Sequence, residues 1–153
     1  MVFSIALRIL GDRSAAEEAA QDVFIELHAK LGALASDEHV LYWLRRVTVH
    51  RSIDLVRRRQ RRPDEIDGAV HELPDLPDLS SASTQPDPLL SRRLQQLVSS
   101  LPAVARSILI LRYQEDMSPE EISGALEMPV ATVKSHLQRT LRLLREKSAR
   151  VLR

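Results

Sequence analysis

The sequence contains no cysteine, only four glycines and only five aromatic residues of the Phe, Trp and Tyr types. Without cysteine the chain forms no disulfide, no thiolate nucleophile and no zinc site with cysteine ligands. No apolar run approaches the length of a membrane span, and the first residues, MVFSIALRILGDR, are too short and too soon charged for a signal peptide. We therefore expect a cytoplasmic protein that does not insert into a membrane.

Enzymatic function is also disfavoured by what the sequence lacks. There is no glycine-rich phosphate-binding loop, and the five histidines lie apart without metal-ligand spacing. These histidines are His28, His39, His50, His71 and His136. We expect no enzyme, no metal site and no cofactor.

The charges nearly cancel but are strongly segregated along the chain. The 22 Lys and Arg residues and 21 Asp and Glu residues give a formal net charge of +1. Residues 43–62 contain eight arginines against one acid, Asp54, whereas residues 63–86 contain six acids and no Lys or Arg. From Pro129 onward the balance is basic again. This asymmetry predicts two cationic surfaces separated by an anionic connector.

Abundant Leu, Ala, Arg and Glu predict an all-α fold. Three helices are predicted in residues 1–62. Residues 2–10 form an apolar helix that Gly11 ends. Ser14 and Glu17 match a capping box that opens a second helix, to about Leu31. After a turn at residues 32–38, a third helix extends to about Arg62. The predicted inner face of the second helix comprises Ala16, Ala20, Val23, Phe24, Leu27 and Leu31.

Prolines and a serine-rich cluster mark residues 63–86 as a flexible acidic linker. The segment is long for a loop inside one compact domain, so we interpret it as a domain boundary. The sequence then predicts two small helical domains, residues 1–62 and residues 87–153. In the second, Asp87 and Pro88 begin one helix to about Ser100, and Leu101-Pro102 begins another.

Residues 118–145, SPEEISGALEMPVATVKSHLQRTLRLLR, are typical of a helix-turn-helix. Ser118, Pro119 and Glu121 form a capping box with proline at the first helical position. Met128-Pro129 ends that helix, because the residue before proline avoids the α region. A second helix follows, whose apolar stripe comprises Val130, Val133, Leu137, Leu141 and Leu144.

Basic and amide side chains lie opposite that stripe or on its flank, as a helix that reads the major groove requires. The alternative is an ordinary helical hairpin with a solvated basic face. The predicted DNA-facing residues are Lys134, Ser135, Gln138, Arg139 and Arg142.

The order of these segments resembles a bacterial RNA polymerase sigma factor of the extracytoplasmic-function (ECF) group in the sigma-70 family, which keeps sigma regions two and four. AEEAAQDVFIELHAKL (residues 16–31) resembles the region-two helix that docks on the polymerase clamp. WLRRVTVHRSIDLVRRRQRR (residues 43–62) resembles the helix that contacts the promoter near its −10 element. LVSSLPAVARSILILRYQEDMSPEEISGALEMPVATVKSHLQRTLRLLRE (residues 97–146) resembles region four, which reads the −35 element.

The resemblance implies partners and residues for each surface. It implies binding to core RNA polymerase and promoter DNA, an anti-sigma factor as a further partner, and transcription initiation as the function. Polymerase contact would involve Glu17, Glu18, Gln21, Asp22 and Glu26, for which a plain solvated helix face is the alternative. Contact with the −10 region would involve Tyr42, Arg45, Arg46, His50, Arg51, Arg57 and Arg58. The −35 readers would be the predicted DNA-facing residues of the last helix.

The sequence departs from the family pattern in three places. Similar proteins carry another stretch of helix before the position of Val2, so we expect region two to be short at its N-terminus and Met1 to be an uncertain start. Val49-His50 stands where the family commonly has Arg-Asn. Glu127 replaces a usual glycine in the turn. A left-handed backbone at Glu127 would cost about 1 kcal/mol relative to glycine, and a slightly different turn is the alternative.

A second function remains open from the residues alone. Residues 118–139 also match a stand-alone, dimeric transcriptional regulator with a LuxR-like helix-turn-helix. The arginine cluster and the acidic linker favour the sigma factor, since such a regulator needs neither.

Overall fold

The computed structural model describes residues 1–61 and 87–151, and every regular element in these ranges is helical. A first region consists of α1 (Val2–Leu10), α2 (Arg13–Lys30), a 3₁₀ turn (Leu31–Ala33) and α3 (Asp37–Arg61). A second region consists of α4 (Pro88–Ser99), α5 (Ala103–Tyr113), α6 (Pro119–Leu126) and α7 (Val130–Val151). The all-α prediction with two small helical regions is confirmed; the predicted linker, residues 63–86, lies outside the described residues.

The helix ends follow local chemistry, with one departure from the prediction. Gly11 ends α1 in the left-handed conformation, φ 68°, and its N–H donates to the Leu7 carbonyl. The capping box predicted at Ser14 and Glu17 is wrong, because the N-cap of α2 lies two residues earlier in the chain. Asp12 is the N-cap, and its carboxylate accepts a hydrogen bond from the Ser14 N–H at 3.2 Å.

The inner face of α2 is built from small residues. Ala15, Ala16, Ala19, Ala20 and Val23 are buried against α1 and α3. Phe24 and Leu31, predicted to lie inside, are 52% and 50% exposed. Alanines let the three helices approach closely, and the buried stripe therefore passes through Ala15 and Ala19 instead of Phe24. Leu31 falls beyond the end of α2 in the 3₁₀ turn.

The two regions share one hydrophobic core. Helices α1 and α3 pack against α5, and α3 also packs against α6. The largest cluster of buried side chains comprises Ile5, Ile9, Val49, Ile53, Ile108, Ile110, Leu111, Met117, Ile122, Ala125, Leu126 and Val133. Its members come from both regions, so the described residues form a single packed body.

A half-buried arginine, Arg106, joins the two regions at one edge of this core. The Arg106 guanidinium of α5 donates to the Ser99 carbonyl at 2.7 Å, to the Leu101 carbonyl at 2.8 Å, and to the Ile9 carbonyl at the end of α1. Burial lowers the pKa of Arg106. The three carbonyls accept hydrogen bonds from its charged guanidinium group. The end of α1 is a favourable site for a cation because of the helix dipole.

Candidate nucleic-acid interface

The helix-turn-helix has the predicted caps and turn. Ser118 Oγ accepts from the Glu121 N–H at 3.1 Å, and Glu121 Oε2 accepts from the Ser118 N–H at 2.7 Å, which completes the capping box. Glu127 ends α6 in the left-handed conformation, φ 54°, which decides between the two turns that the sequence left open. Across the turn, Ser123 Oγ donates to the Met128 carbonyl at 2.6 Å. These bonds fix where α7 starts.

Helix α7 presents one buried face and one exposed face. Val133 is fully buried, while Val130, Leu137, Leu141 and Leu144 are half-buried. Sequence reasoning missed Thr140, which is buried on this face. The opposite face exposes all five predicted DNA-facing residues: Lys134, Ser135, Gln138, Arg139 and Arg142.

Two of these cations have acidic neighbours within the second region. Lys134 Nζ lies 3.8 Å from Glu120 Oε1, and Arg142 Nε lies 3.0 Å from Glu146 Oε1. All four side chains are more than half exposed, so these ion pairs are weak. Both cations therefore remain accessible to a phosphate or a base edge.

The predicted −10 residues on α3 divide into three groups. Tyr42, Arg45, Arg46 and His50 face the second region. Arg51 lies 3.4 Å from Glu26 of α2. The remaining two, Arg57 and Arg58, are exposed.

The first group makes specific contacts with α6 and the segments that flank it, and we call these four residues and their partners the interregion contact. Arg45 Nε lies 3.0 Å from Glu115 Oε2, and Arg46 pairs with Glu127. His50 Nε2 lies 2.7 Å from the Ala125 carbonyl. Tyr42 packs on Gly124, where a Cβ would lie 2.8 Å from the tyrosine hydroxyl. Sequence reasoning missed these partners.

Another arginine of α3 pairs inside the first region. Arg59 Nη2 lies 2.7 Å from Asp12 Oδ2. Partial burial acts to raise the pKa of Asp12, but the hydrogen bonds from Arg59 and from the Ser14 N–H outweigh burial and lower it. The Arg59 charge is thus partly neutralised and contributes more to the fold than to a ligand.

The predicted polymerase surface on α2 combines acids with exposed apolar side chains. Glu17, Glu18 and Gln21 are exposed, and Asp22 and Glu26 are half-buried. Phe24 and Ile25 are 52% and 70% exposed, and with Phe3, Ala20, Glu17 and Gln21 they line a shallow groove. Sequence reasoning missed this exposed apolar pair, because it placed Phe24 on the inner face and did not assign Ile25.

The described residues contain no cluster of three His, Asp or Glu side chains placed to hold a metal ion. Nor does any helix among them have the length and apolar character needed to cross a membrane.

Comparison with known proteins identifies both regions. The family described as Sigma-70 region 2 matches residues 1–62, and the family described as Sigma-70, region 4 matches residues 91–144. The ECF RNA polymerase sigma factor SigW of Bacillus subtilis is 27% identical over 155 residues, which span 95% of this chain and 81% of SigW. The RNA polymerase sigma-E factor of Streptomyces avermitilis is 30% identical over 141 residues, 92% of this chain and 75% of that protein.

A solved structure has the same fold. The sigma factor RpoE of Bartonella quintana, in complex with the anti-sigma factor NepR, matches with a TM-score of 0.72 and 20% identity over 95% of this chain and 88% of RpoE. These similarities do not support the LuxR-like alternative. The chain belongs to the ECF group of the sigma-70 family and is a sigma factor, which directs promoter recognition and transcription initiation.

Proposed function

We propose that this sigma factor binds core RNA polymerase through α2, reads the −35 element with α7 and grips the −10 region with α3. The observation that carries the proposal is the exposed face of α7, where all five predicted readers lie together on a helix anchored by the α6 cap and turn. We further propose that it acts in the cytoplasm, without catalytic activity of its own, and that an anti-sigma factor binds it.

On α7, base reading and phosphate binding fall to different side chains. Arg139 and Gln138 lie on the exposed face with no ion pair among the described residues. Both can form bidentate hydrogen bonds, arginine with guanine and glutamine with adenine. Lys134 and Arg142 flank them and can neutralise phosphates, which adds affinity without sequence preference.

On α3, the arginines supply charge toward the −10 region. Arg57 and Arg58 are exposed near the end of the helix. Trp43 is half-buried and packs against the cluster of Val23 and Leu44, so its role is structural. Tyr42 is then the aromatic side chain of α3 that can stack on an unpaired base.

On α2, Glu17 and Gln21 line the groove at Phe24 and Ile25, and Asp22 and Glu26 line a second groove that also includes Ile25. An apolar centre with a polar rim is the usual composition of a protein interface. We assign the polymerase contact to this surface.

The test is co-purification with core polymerase, followed by mapping of transcripts that the reconstituted enzyme starts in vitro. We expect tight binding to core polymerase and weak binding of the isolated protein to duplex DNA, because each region makes few phosphate contacts. Transcripts should start at defined promoters only when the protein is added. A dimeric protein that binds duplex DNA tightly and fails to bind core polymerase would contradict the proposal.

A further inference from the structure

Lys134 and Arg142 of α7 can both neutralise a phosphate, but their acidic partners lie on different helices. Arg142 Nε lies 3.0 Å from Oε1 of Glu146, which is one turn further along α7. Lys134 Nζ lies 3.8 Å from Oε1 of Glu120, which belongs to α6. Among the described residues, Lys134 is thus the −35 reader whose charge is paired across the helix-turn-helix.

The Glu120 carboxylate takes no part in the cap of its own helix. Ser118 and Glu121 complete the capping box of α6 between them. The Glu120 side chain is 65% exposed, and the Lys134 side chain is 58% exposed. Because an ion pair as exposed as this contributes little to folding, its main effect falls where the second region meets DNA.

The packing of the turn fixes the backbone positions of the two residues. Ile122 of α6 and Val133 of α7 are fully buried in one cluster, and each lies within two residues of a member of the pair. Lys134 precedes Gln138 by four residues, so the two side chains are neighbours on the surface of α7. The Glu120 carboxylate therefore holds a long, flexible lysine side chain beside the glutamine that can read a base.

A lysine that is paired with a carboxylate favours a base edge over a phosphate. Its ammonium group has three hydrogen-bond donors, and the donors that Glu120 leaves free can reach the O6 and N7 acceptors of guanine in the major groove. A base edge has no net charge, whereas a phosphate close to Lys134 would be repelled by the Glu120 carboxylate. Exclusion of water at the DNA surface lowers the local dielectric constant and strengthens both effects.

We propose that Glu120 is a positioning residue for −35 recognition, which makes Lys134 a reader of guanine instead of a phosphate contact. The inference deepens the proposed function and rests on it, because it takes α7 as the −35 helix. Lys134 then contributes sequence preference with little salt dependence, while Arg142 contributes salt dependence without preference. Specificity at the −35 element is therefore shared between α6 and α7.

The test is binding of the reconstituted holoenzyme to a set of −35 variants across a salt series. Glu120→Gln removes the negative charge and keeps the size of the side chain. The preference for guanine at one −35 position should fall about fivefold, the lower end of the range for loss of a good base contact. The slope of log affinity against log salt should steepen by about 0.9, the value for one additional phosphate contact.

Glu146→Gln is the matched control, because it also removes one exposed acid that pairs with a cation of α7. It should change binding to all −35 variants by one common factor and keep every base preference. A double-mutant cycle with Lys134→Met adds a second control. In the Lys134→Met background, Glu120→Gln should no longer change the base preference, because no ammonium group remains to be positioned.

The alternative is that Glu120 only stabilises the start of α6 through the helix dipole. A lower melting temperature of Glu120→Gln with unchanged base preference would show this and overturn the inference. An equal loss of preference in Glu146→Gln, or the same effect of Glu120→Gln with and without Lys134, would also overturn it. Failure of the proposed function would be seen separately, as an unaltered holoenzyme that does not distinguish the −35 variants.

Discussion

The two cationic helices of this sigma factor, α3 and α7, resemble each other in composition but differ in which acidic residues form ion pairs with them. Among the described residues, the α7 cations that form ion pairs, Lys134 and Arg142, pair with exposed acids of the second region, Glu120 and Glu146. On α3 the arginines meet acids from α2, from the start of α2 and from the second region. A cluster of basic residues in a sequence therefore predicts a cationic helix, but its availability to DNA depends on the tertiary packing.

The largest expected effect concerns the core that the two regions share. Ile5 of α1 is fully buried in the cluster that includes Ile108 and Ile122 of the second region. Ile5→Ala should lower the free energy of unfolding by about 2–5 kcal/mol, because it leaves a cavity. The urea midpoint measured by Trp43 fluorescence reports the first region, and amide exchange in α5 reports the second. We expect Ile5→Ala to lower both the urea midpoint and the exchange protection. Unchanged exchange in α5 would mean that the regions fold independently.

The next effect separates reading on α7 from gripping on α3. Arg139→Ala should relax preference at one or two −35 positions, with a loss of roughly 1–3 kcal/mol of discrimination. Arg58→Ala should weaken all promoters about equally and reduce the salt dependence. In vitro transcription on a library of −35 variants across a salt series makes the comparison. If Arg139→Ala lowered transcription from every −35 variant by the same factor, Arg139 would be a phosphate contact. Sequence recognition would then be assigned to Lys134 and Gln138.

A smaller effect is expected on the acidic face of α2. Glu18→Lys with Asp22→Lys should weaken binding to core polymerase several-fold, because the exposed Glu18 and the half-buried Asp22 would reverse their charge within the proposed interface. Helix content, measured by circular dichroism, should hardly change since both residues lie on the polar side of α2. Glu120→Lys with Glu146→Lys reverses equal charge on the second region and serves as the control. If the unaltered protein, the α2 double variant and the control pulled down equal amounts of core polymerase, the α2 acids would be an ordinary solvated helix face.

The smallest effect concerns the arginine of α3 that pairs within its own region. Asp12→Asn keeps an N-cap for α2 but removes the ion pair with Arg59, and should cost about 1 kcal/mol or less at neutral pH. The folded-state pKa of Asp12 is lowered from 3.8. Its contribution is therefore present above that value and disappears as the pH falls through the lowered pKa. Urea unfolding of both proteins from pH 7 to pH 3 should give curves that converge at the acidic end.

Local features of this fold could be predicted from the sequence because they depend on neighbouring residues. The α6 capping box and the exposed face of α7 follow from patterns within a few residues, whereas the conformation of Glu127 stayed open between two turns. The N-cap of α2 was predicted two residues too late, at Ser14 instead of Asp12. Both residue types are good N-caps, and the sequence alone does not show which side chain accepts a backbone hydrogen bond. Phe24 was predicted to be buried because helical periodicity does not show whether the alanine face or the phenylalanine face of α2 packs against the neighbouring helices.

The interregion contact could not be predicted, for a physical reason. Arg45 and Glu115 are 70 positions apart, and Arg46 and Glu127 are 81 apart. No periodicity or spacing rule connects residues at such separations. The division into separate domains at residues 62 and 87 stays a prediction, while the described helices of both regions share one core.

The shared core also makes the packing of the two regions against each other sensitive to temperature. Separating the regions would expose apolar side chains such as Ile9 and Leu111, and exposure of apolar surface raises the heat capacity. Hydrophobic stabilisation weakens on cooling, so the two regions should stabilise each other less at low temperature. The free energy of unfolding should therefore curve when it is plotted against temperature, and part of that curvature reflects the apolar surface that the two regions bury between them.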